Sequence, residues 1–464
     1  MTTAVSAREP KPEEKTPFPD EPLFTGRFFV MCLFTFVVFL SAFQLFPTAP
    51  FRIMDQGGST FTAGLFLGLL TFASALSAPL TGALADRLGR KKMLLVSSWA
   101  LVFFAVAYGV SPNYHIPLFL VVFHGVFWSG LLSASSAYMS DIIPAHRRAE
   151  GIGYWGMSSV FAIAVAPSLG LWIYQFGWEW MCGSLALLSL LMVAVAYKLP
   201  ETVPPVNGRG GLPHVRDLVE WKVLLLSVAL FMYAVGHGGA TSFSAVYAHA
   251  LDISPPGLFF TVNAVMILVT RPFSGVLADR IGHRLILIPC LLLIFIGLLM
   301  LAFADSKGLF IAAAAVYGLG VGNVHPVFSA YIIQRMPAER RGAAFGSVLA
   351  AFDTGIGTGS MMTGYLIEHY GFTAAFLSTA VLAGFAVPYF ILMEKRLGLD
   401  DAHDVHAHLA GNPMQPHPAG NPSRPHSGGD PLPPQPVGNP LQPHSGRHAT
   451  RVHHTGKKQN SPED

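Results

Sequence analysis

The sequence predicts an all-α integral membrane protein, with twelve transmembrane helices in two pseudo-symmetric six-helix bundles. Of its 464 residues, 52% are apolar and only 12% are charged, against about 25% charged residues in a soluble protein. The apolar residues occur in runs of about 20, which is the length that crosses a ~30 Å hydrocarbon layer. In addition, one polar segment of the first half of the sequence is repeated in the second half. This composition excludes an ordinary soluble enzyme.

Apolar runs separated by polar breaks predict the membrane spans. Many of the runs contain glycine and alanine in place of charge, and small residues let helix backbones approach closely in a lipid environment. The twelve spans are predicted at residues 28–48, 62–84, 93–111, 116–140, 151–174, 180–198, 223–249, 257–277, 285–304, 308–333, 342–366 and 371–394.

Basic residues are concentrated in the connections that follow even-numbered spans. Cytoplasmic loops of membrane proteins carry such an excess of Lys and Arg. We therefore predict a multi-pass protein of the plasma (inner) membrane with both termini in the cytoplasm, and with connections such as 111–114 on the other side. The basic residues after even spans are Arg87, Arg90, Lys91, Lys92, Arg147, Arg148, Lys198, Arg209, Arg216, Lys222, Arg280, Arg284, Arg335, Arg340 and Arg341, against Arg52 and Lys307 after odd spans.

The chain repeats itself with an offset of 193 residues. The segment 82–89 recurs as 275–282, and one register holds from Pro79 to Gly153. This indicates two six-helix halves of the same orientation, as in transporters built from parallel repeats. The predicted organisation is a cytoplasmic N-terminal tail (1–26), an N-terminal bundle (27–198), a cytoplasmic linker (199–222), a C-terminal bundle (223–397) and a cytoplasmic tail (398–464).

The tail from residue 398 onward is rich in Pro, His, Gly, Asn and Gln, and residues 411–446 read as four nonapeptides. With so little apolar surface to bury, we expect this tail to be disordered. Its nine histidines raise metal binding as an alternative. Because nothing in the pattern fixes a coordination geometry, we predict no metal site.

The repeated segment reads Gly-x-Leu-Ala-Asp-Arg-x-Gly in both halves. It resembles the signature of the major facilitator superfamily, and the resemblance covers roughly residues 27–397. It implies alternating access, in which two six-helix bundles rock about a central site near the middle of the bilayer. The pattern is most like the twelve-span drug/proton antiporter branch of that family.

The resemblance implies a latch that closes the cytoplasmic side in the outward-open form. In that family the loop acid, here Asp86, contacts the N-terminal end of span 11 and a basic residue of span 4. A carboxylate is favoured at a helix N-terminus, where unpaired amides carry partial positive charge. Alternatively, the basic residues only fix the topology. The latch candidates are Gly82, Asp86, Arg87, Gly89, Arg90, Gly275, Asp279, Arg280 and Gly282.

Two spans bear on the antiporter resemblance. In span 4, Val121 stands where drug-efflux members carry an Arg, so that residue's ion pair and proton-relay role are missing or moved. In span 5, Pro167 and Gly170 lie in a segment that partly resembles the antiporter Gly-Pro-x-x-Gly element. A proline removes one intrahelical hydrogen bond and bends the helix. The segment therefore favours export, although kinked prolines occur in any membrane helix.

Two charged residues lie well inside predicted spans, away from the span ends, where a charge costs about 2.5–3.5 kcal/mol on insertion scales. Asp353 stands in the middle of span 11, and desolvation there would suit reversible proton binding. The alternative is a structural carboxylate held by a hydroxyl or by Arg271. Arg271 in span 8 could itself snorkel toward the cytoplasm, pair with an acid or hold an anionic substrate.

Four neutral or ionisable polar residues complete the candidate substrate and proton site. Gln44 in span 1 and His237 in span 7 correspond under the offset of 193 residues, and these spans line the cavity in the resembled family. Asn323 and His325 lie together in span 10. The alternative for each histidine is a hydrogen-bonded packing residue.

We therefore predict a secondary active transporter, energised by a proton gradient, that exports a small amphipathic solute. Uptake of a small metabolite or organic anion is the alternative, and a polytopic membrane enzyme is a remote one. No nucleotide-binding loop or catalytic turn occurs in the sequence, so no cofactor is predicted. A net charge of +3 gives no reason to expect a nucleic acid partner. We expect the protein to act as a monomer, and its expected partners are the lipid bilayer and the transported solute.

Overall fold

The computed structural model describes residues 22–144, 147–202, 220–337 and 340–398, and every regular element within those ranges is an α-helix. The predicted C-terminal tail after residue 398, and most of the predicted linker and N-terminal tail, lie outside the described residues. The helices are α1 (Gly26–Asp55), α2 (Thr60–Leu88), α3 (Arg90–Gly109), α4 (His115–Ile142), α5 (Arg148–Tyr174), α6 (Trp178–Lys198), α7 (Trp221–Leu226), α8 (Val228–Ala250), α9 (Leu258–Ile281), α10 (His283–Ala302), α11 (Lys307–Arg335) and α12 (Arg341–Arg396). We refer to α1–α6 as the first half and to α7–α12 as the second half.

Each predicted span lies on a helical segment. Within the described ranges, nine helices are long and apolar enough to cross a membrane. Span 7 begins in the short α7 and continues in α8 after an interruption at Ser227. Spans 11 and 12 both lie in α12, which is broken at Gly371, where φ is 81°. The membrane-spanning helical class is therefore confirmed, and the exact number of twelve crossings stays a prediction.

The ends of the helices meet in two groups. At the end that carries the basic α2–α3 turn, Lys91 Nζ donates to the carbonyl oxygen of Tyr197, at the end of α6, at 2.8 Å. At the other end, Tyr174 Oη of α5 donates to Asp55 Oδ2 of α1 at 2.7 Å. We name these the basic end and the distal end. The basic connections α9–α10 and α11–α12 also lie at the basic end.

Glycine permits the tight turn between α2 and α3 and the equivalent turn between α9 and α10. Gly89 has φ 97° and Gly282 has φ 99°, in the region that strains residues with a side chain. The next helix begins at the following residue in each case. Both halves therefore reverse direction within one residue at the repeated segment.

The two halves contact each other mainly through α2 against the first part of α12, and through α5 against α9. Small residues permit the closest approach. The backbone of Gly64 on α2 lies so near the backbone of Ser360 that a Cβ at Gly64 would meet the Ser360 carbonyl oxygen. Ser360 Oγ also donates to the carbonyl oxygen of Gly64 at 2.9 Å. This is the packing that small residues allow between membrane helices.

The contacts between the halves close the distal end. Thr60 Oγ1, at the start of α2, donates to the carbonyl oxygen of Gly364 at 2.8 Å. On the other helix pair, the hydroxyls of Ser168 on α5 and Thr261 on α9 lie 2.7 Å apart. Direct hydrogen bonds therefore join the two halves at both helix pairs at this end.

The same helix faces separate toward the basic end. On α12, Leu349 lies one turn beyond Asp353 and is 37% exposed. On the second pair, Phe161 of α5 and Val265 of α9 are 46% and 48% exposed. We refer to the space between the halves on the basic side of Ser74 and Asp353 as the central cleft. The structure is thus closed at the distal end and open at the basic end.

Candidate functional site

An aromatic cluster lies at mid-depth in the second half, and we define it as His237, Tyr317, His325 and Phe352. His237 Nδ1 lies 2.8 Å from Tyr317 Oη. The Phe352 ring centroid is 6.1 Å from that of His237 and 4.8 Å from that of His325. The two predicted histidines are therefore joined through Phe352, and His237 also contacts Tyr317; the sequence had singled out neither aromatic residue.

A histidine–tyrosine pair also occurs in the first half. His124 Nδ1 of α4 lies 3.1 Å from Tyr108 Oη of α3. His124 and Tyr317 are 193 residues apart, so the repeat register was the signal that could have identified Tyr317. A cavity of about 10 Å³ adjoins the first-half pair and is lined in part by Ser41 and Ser189. The same repeat position therefore supplies the histidine of the pair in the first half, His124, and the tyrosine of the pair in the second half, Tyr317.

Arg271 lies on α9 at the same depth. Its Nη1 donates to the carbonyl oxygen of Gly322, in the middle of α11, at 2.6 Å. Within the described ranges the guanidinium has no carboxylate within ion-pairing distance, and the side chain is partly exposed. In this conformation Arg271 therefore shows neither the acid partner nor the extension toward the basic end that the sequence left open.

Asn323 lies between α9 and α11. Its Nδ2 donates to Thr270 Oγ1 and to the Leu319 carbonyl oxygen, both at 3.1 Å. Its Oδ1 is buried and has no hydrogen-bond donor among the described residues. The amide nitrogen of Asn323 therefore joins the two helices, while its amide oxygen has no hydrogen-bond partner among the described residues.

Asp353 lies where the contact between α2 and α12 ends. Ser74 Oγ, on the first half, donates to Asp353 Oδ2 at 3.5 Å, which is long for this type of bond. One turn toward the distal end, the halves are in close contact at Thr71 and Gly357. Of the two partners weighed from sequence, the hydroxyl is present in this conformation and Arg271 is not. The carboxylate thus stands at the closed end of the central cleft.

Gln44 is fully buried inside the first half. Its Oε1 accepts a hydrogen bond from Ser184 Oγ at 2.8 Å, and its Nε2 has no partner among the described residues. Gly170 of α5 packs directly on the Gln44 backbone, and α5 continues as a helix through Pro167. Gln44 therefore does not reach the central cleft in this conformation, and its predicted role at the substrate remains a prediction.

Gly82, Asp86 and Arg90 of the predicted latch make no contact with α12 among the described residues in this open conformation. Asp86 Oδ1 lies 2.7 Å from Arg90 Nη1, and the Asp86 side chain is 65% exposed. Arg90 Nε in turn lies 3.3 Å from Asp141 Oδ2 at the end of α4. A Cβ at Gly82 would have open space around it, and Arg87 lies beside Asp86 in the last turn of α2. The latch role stays a prediction.

The basic end of each half also contains a glutamate that the sequence analysis missed. Glu201 Oε1 accepts from the backbone N–H of Arg90 at 2.8 Å. The fully buried Glu394 lies 3.2 Å from Arg284 Nη1 and accepts from Tyr331 Oη at 2.6 Å. The two glutamates are 193 residues apart, so extending the repeat register would have found them.

The repeated segment of the second half is described in part. The surroundings of Gly275 and the side chain of Asp279 lie outside the described part of the structure, whereas Arg280 is exposed on the last turn of α9. The predicted roles of these residues therefore stay predictions.

At the distal end, a carboxylate of the second half caps a helix of the first half. Glu368 Oε2 of α12 accepts from the backbone N–H of Phe61, in the first turn of α2, at 3.1 Å. A carboxylate is favoured at that position by the helix dipole. Glu368 therefore stabilises the closed distal end, in the way that Asp86 is predicted to act at the basic end.

Glu368→Gln is expected to loosen the distal end, because it removes the negative charge while keeping the size of the side chain. Met361, which packs on Gly68 inside this contact, provides the reporter. A cysteine at that position, in a background without Cys32, Cys182 and Cys290, should react with maleimide about two- to fivefold faster in the variant. Glu179→Gln, an exposed acid at the same end, should leave the rate unchanged. Equal rates for all three proteins would contradict a capping role.

A sequence profile of the Major Facilitator Superfamily matches residues 31–259 and 226–407. The multidrug resistance protein MdtG of Enterobacter lignolyticus (strain SCF1) is 25% identical over 379 residues, which cover 77% of this chain and 90% of MdtG. The uncharacterized MFS-type transporter YhhS of Escherichia coli (strain K12) is 23% identical over 390 residues, which cover 81% of this chain and 96% of YhhS.

Solved transporters share the fold. The human organic anion transporter MFSD10 (TETRAN) superposes with a TM-score of 0.63 at 17% identity, over 79% of this chain and 100% of MFSD10. A bacterial homologue of the human lysosomal transporter Spinster, in an inward-facing and unoccupied conformation, gives a TM-score of 0.64 at 16% identity, over 82% and 98% of the two chains. At these identities the likeness establishes the arrangement of helices alone.

Proposed function

Because the chain belongs to the major facilitator superfamily, we propose that it is a proton-coupled secondary transporter that exports a small amphipathic solute by alternating access. Family membership and the relatives make it a multi-pass membrane transporter and not an enzyme. Proton coupling, the direction of transport and the class of solute are the proposed part.

The distribution of contacts between the halves supports alternating access. The distal end is closed by direct bonds, and the central cleft leads from the basic end to Asp353 at mid-depth. Rocking the halves would break the distal contacts and bring the exposed faces around Leu349 together. With the basic connections in the cytoplasm, as the positive-inside pattern predicts, this conformation is open to the cytoplasm.

The position of Asp353 is the observation that carries proton coupling. Its carboxyl group stands at the closed end of the cleft, on the surface of the second half that meets Ser74 of the first half. An open cleft lets water solvate the charged form, whereas closure at the basic end would remove that water and favour the neutral form. Proton affinity would then differ between the two conformations, which is how a gradient biases their equilibrium.

Export is supported by one relative and one segment. MdtG carries the name of a multidrug resistance protein, and the residues from Ala166 to Gly170 resemble the antiporter element of efflux transporters. We propose that the protein acts as a monomer in the inner membrane, with both termini in the cytoplasm.

Asp353→Asn is expected to abolish solute accumulation driven by a pH gradient while preserving downhill solute movement. The measurement uses proteoliposomes and a panel of fluorescent amphipathic dyes, each followed with and without an imposed gradient of one pH unit. Coupling of one proton to one solute would give about tenfold accumulation in the unmodified protein and about onefold in the variant. Asp305→Asn, an exposed aspartate at the distal end, should behave as the unmodified protein.

Two outcomes would contradict the proposal. Accumulation by the Asp353→Asn variant equal to that of the unmodified protein would remove Asp353 from coupling. Dye movement in the same direction as the protons would replace export with uptake.

A further inference from the structure

The position of the Arg271 guanidinium distinguishes it from a snorkelling arginine. Ten residues separate Arg271 from Ile281 at the end of α9, a distance of about 15 Å along the helix. The guanidinium bonds to Gly322, which lies in the middle of α11, and not to a group nearer the basic end. The positive charge is therefore held at mid-depth.

Protein groups satisfy this charge only in part. A guanidinium has five N–H donors, and one hydrogen bond to a carbonyl oxygen accounts for one of them. The mid-depth acid, Asp353, is bound to Ser74 instead, and no described carboxylate forms an ion pair with Arg271. A charge at this depth persists only with a partner or a wet cavity, and the Arg271 side chain is partly exposed.

The groups around Arg271 fit the remainder of a ligand. His325 lies one turn along α11 from Gly322, whose carbonyl oxygen accepts the hydrogen bond from Arg271. Its Nε2 is buried without a partner among the described residues. The partly exposed Phe352 ring lies beside His325, at a centroid distance of 4.8 Å. A cation, an unused imidazole nitrogen and an aromatic ring thus lie on neighbouring parts of α9, α11 and α12.

We propose that the transported solute is an amphipathic organic anion. Its carboxylate or sulfonate binds the free N–H groups of Arg271, with His325 as a second donor, and its apolar ring packs on Phe352. Arginine binds such groups through two parallel hydrogen bonds, which the planar guanidinium provides without rearranging α9. This inference rests on the proposed function only in that the central cleft is the transport site.

Matched ligands test the proposal on the purified full-length protein, with no gradient present. Naphthoate and naphthalenesulfonate are compared with naphthamide, which has the same ring without the charge, and binding is measured from the rise in unfolding temperature with ligand concentration. We expect both anions to bind about 10- to 100-fold more tightly than the amide, as charge-assisted hydrogen bonds predict.

Variants then assign the preference to individual groups. Arg271→Gln should reduce the affinity for the anions to that for the amide, and Arg271→Lys should retain part of the difference. Phe352→Leu should weaken anions and amide by the same factor. Arg396→Gln removes one charge from the exposed end of α12 and should change nothing.

The proposal is overturned if neither anion binds more tightly than the amide, or if the preference survives in Arg271→Gln. Because binding is measured without a gradient, these results are separate from those for Asp353. Loss of proton coupling with a retained preference for anions would refute the proposed coupling and leave the anion site standing.

Discussion

Alanine in place of Gly64 is expected to shift the protein out of the conformation that is closed at the distal end. A Cβ at this position would overlap the carbonyl oxygen of Ser360 on α12. Because that oxygen belongs to the backbone, the overlap is relieved only if α2 and α12 separate. Overpacking of this kind costs about 1–3 kcal/mol, which corresponds to an about 5- to 150-fold change in the equilibrium between two conformations.

Gly82→Ala on the same helix is expected to act in the opposite direction. A Cβ at Gly82 has no atom within 4 Å in the present conformation, so the substitution is tolerated there. The predicted latch would bring this part of α2 against the start of α12, where the added methyl group would interfere. Both variants replace glycine by alanine in one helix, so their effects on helix propensity are similar.

Spin labels at the ends of α6 and α12 measure the separation of the halves at the basic end. Cysteines at Lys198 and Arg396, in a background without the three native cysteines, place one label on each half. We expect Gly64→Ala to increase the population with the shorter distance, and Gly82→Ala to decrease it. Identical distance distributions for both variants would show that these glycines do not control the conformational equilibrium.

Gly238→Ala is expected to destabilise the fold itself. A Cβ at Gly238 on α8 would meet the backbone carbonyl oxygen of Ile356 on α12. The reverse contact is equally close, since a Cβ at Gly359 would meet the carbonyl oxygen of Val235. Both helices belong to the second half, so rocking between the halves cannot relieve the overlap. We expect a loss of about 1–3 kcal/mol in the free energy of unfolding.

Thermal unfolding in detergent, followed by size-exclusion chromatography of the surviving monodisperse fraction, measures this effect. Gly183→Ala on α6 is the matched control, because no atom lies within 4 Å of its added Cβ. The unfolding temperature should fall for Gly238→Ala and not for the control. A fall of the same size in both variants would indicate a general intolerance of alanine and would contradict the packing argument.

Much of the fold follows from local properties of the sequence. Hydrophobic length predicts each helical segment because a chain in lipid must satisfy its backbone hydrogen bonds internally. The offset of 193 residues predicts equivalent turns at Gly89 and Gly282, where both glycines adopt positive φ. The interruption at Ser227, and a break at Gly371 without an intervening loop, could not be predicted, because they depend on how the flanking helices pack.

Part of the candidate site was also predictable. A charge at mid-depth is costly, so Asp353 and Arg271 could be identified individually from their positions in apolar runs. Their partners could not, because Ser74 lies 279 residues from Asp353 in sequence and Gly322 contributes a backbone atom that no side-chain pattern reveals. The same limit explains why Tyr317 and Phe352 were missed, since aromatic residues are common throughout an apolar sequence.

The sequence by itself determined the membrane-spanning helical class, the family resemblance, the repeat and the sorting of basic residues to one end, because hydrophobic length, repeated motifs and charge are properties of the chain. Only the tertiary structure decided which end is closed, which hydroxyl meets Asp353, that Gln44 is buried within its own half, and that Arg271 is held at mid-depth with no acid partner among the described residues. These depend on which helix faces meet. Such contacts differ between the conformations of a rocking protein, whereas its sequence is the same in all of them.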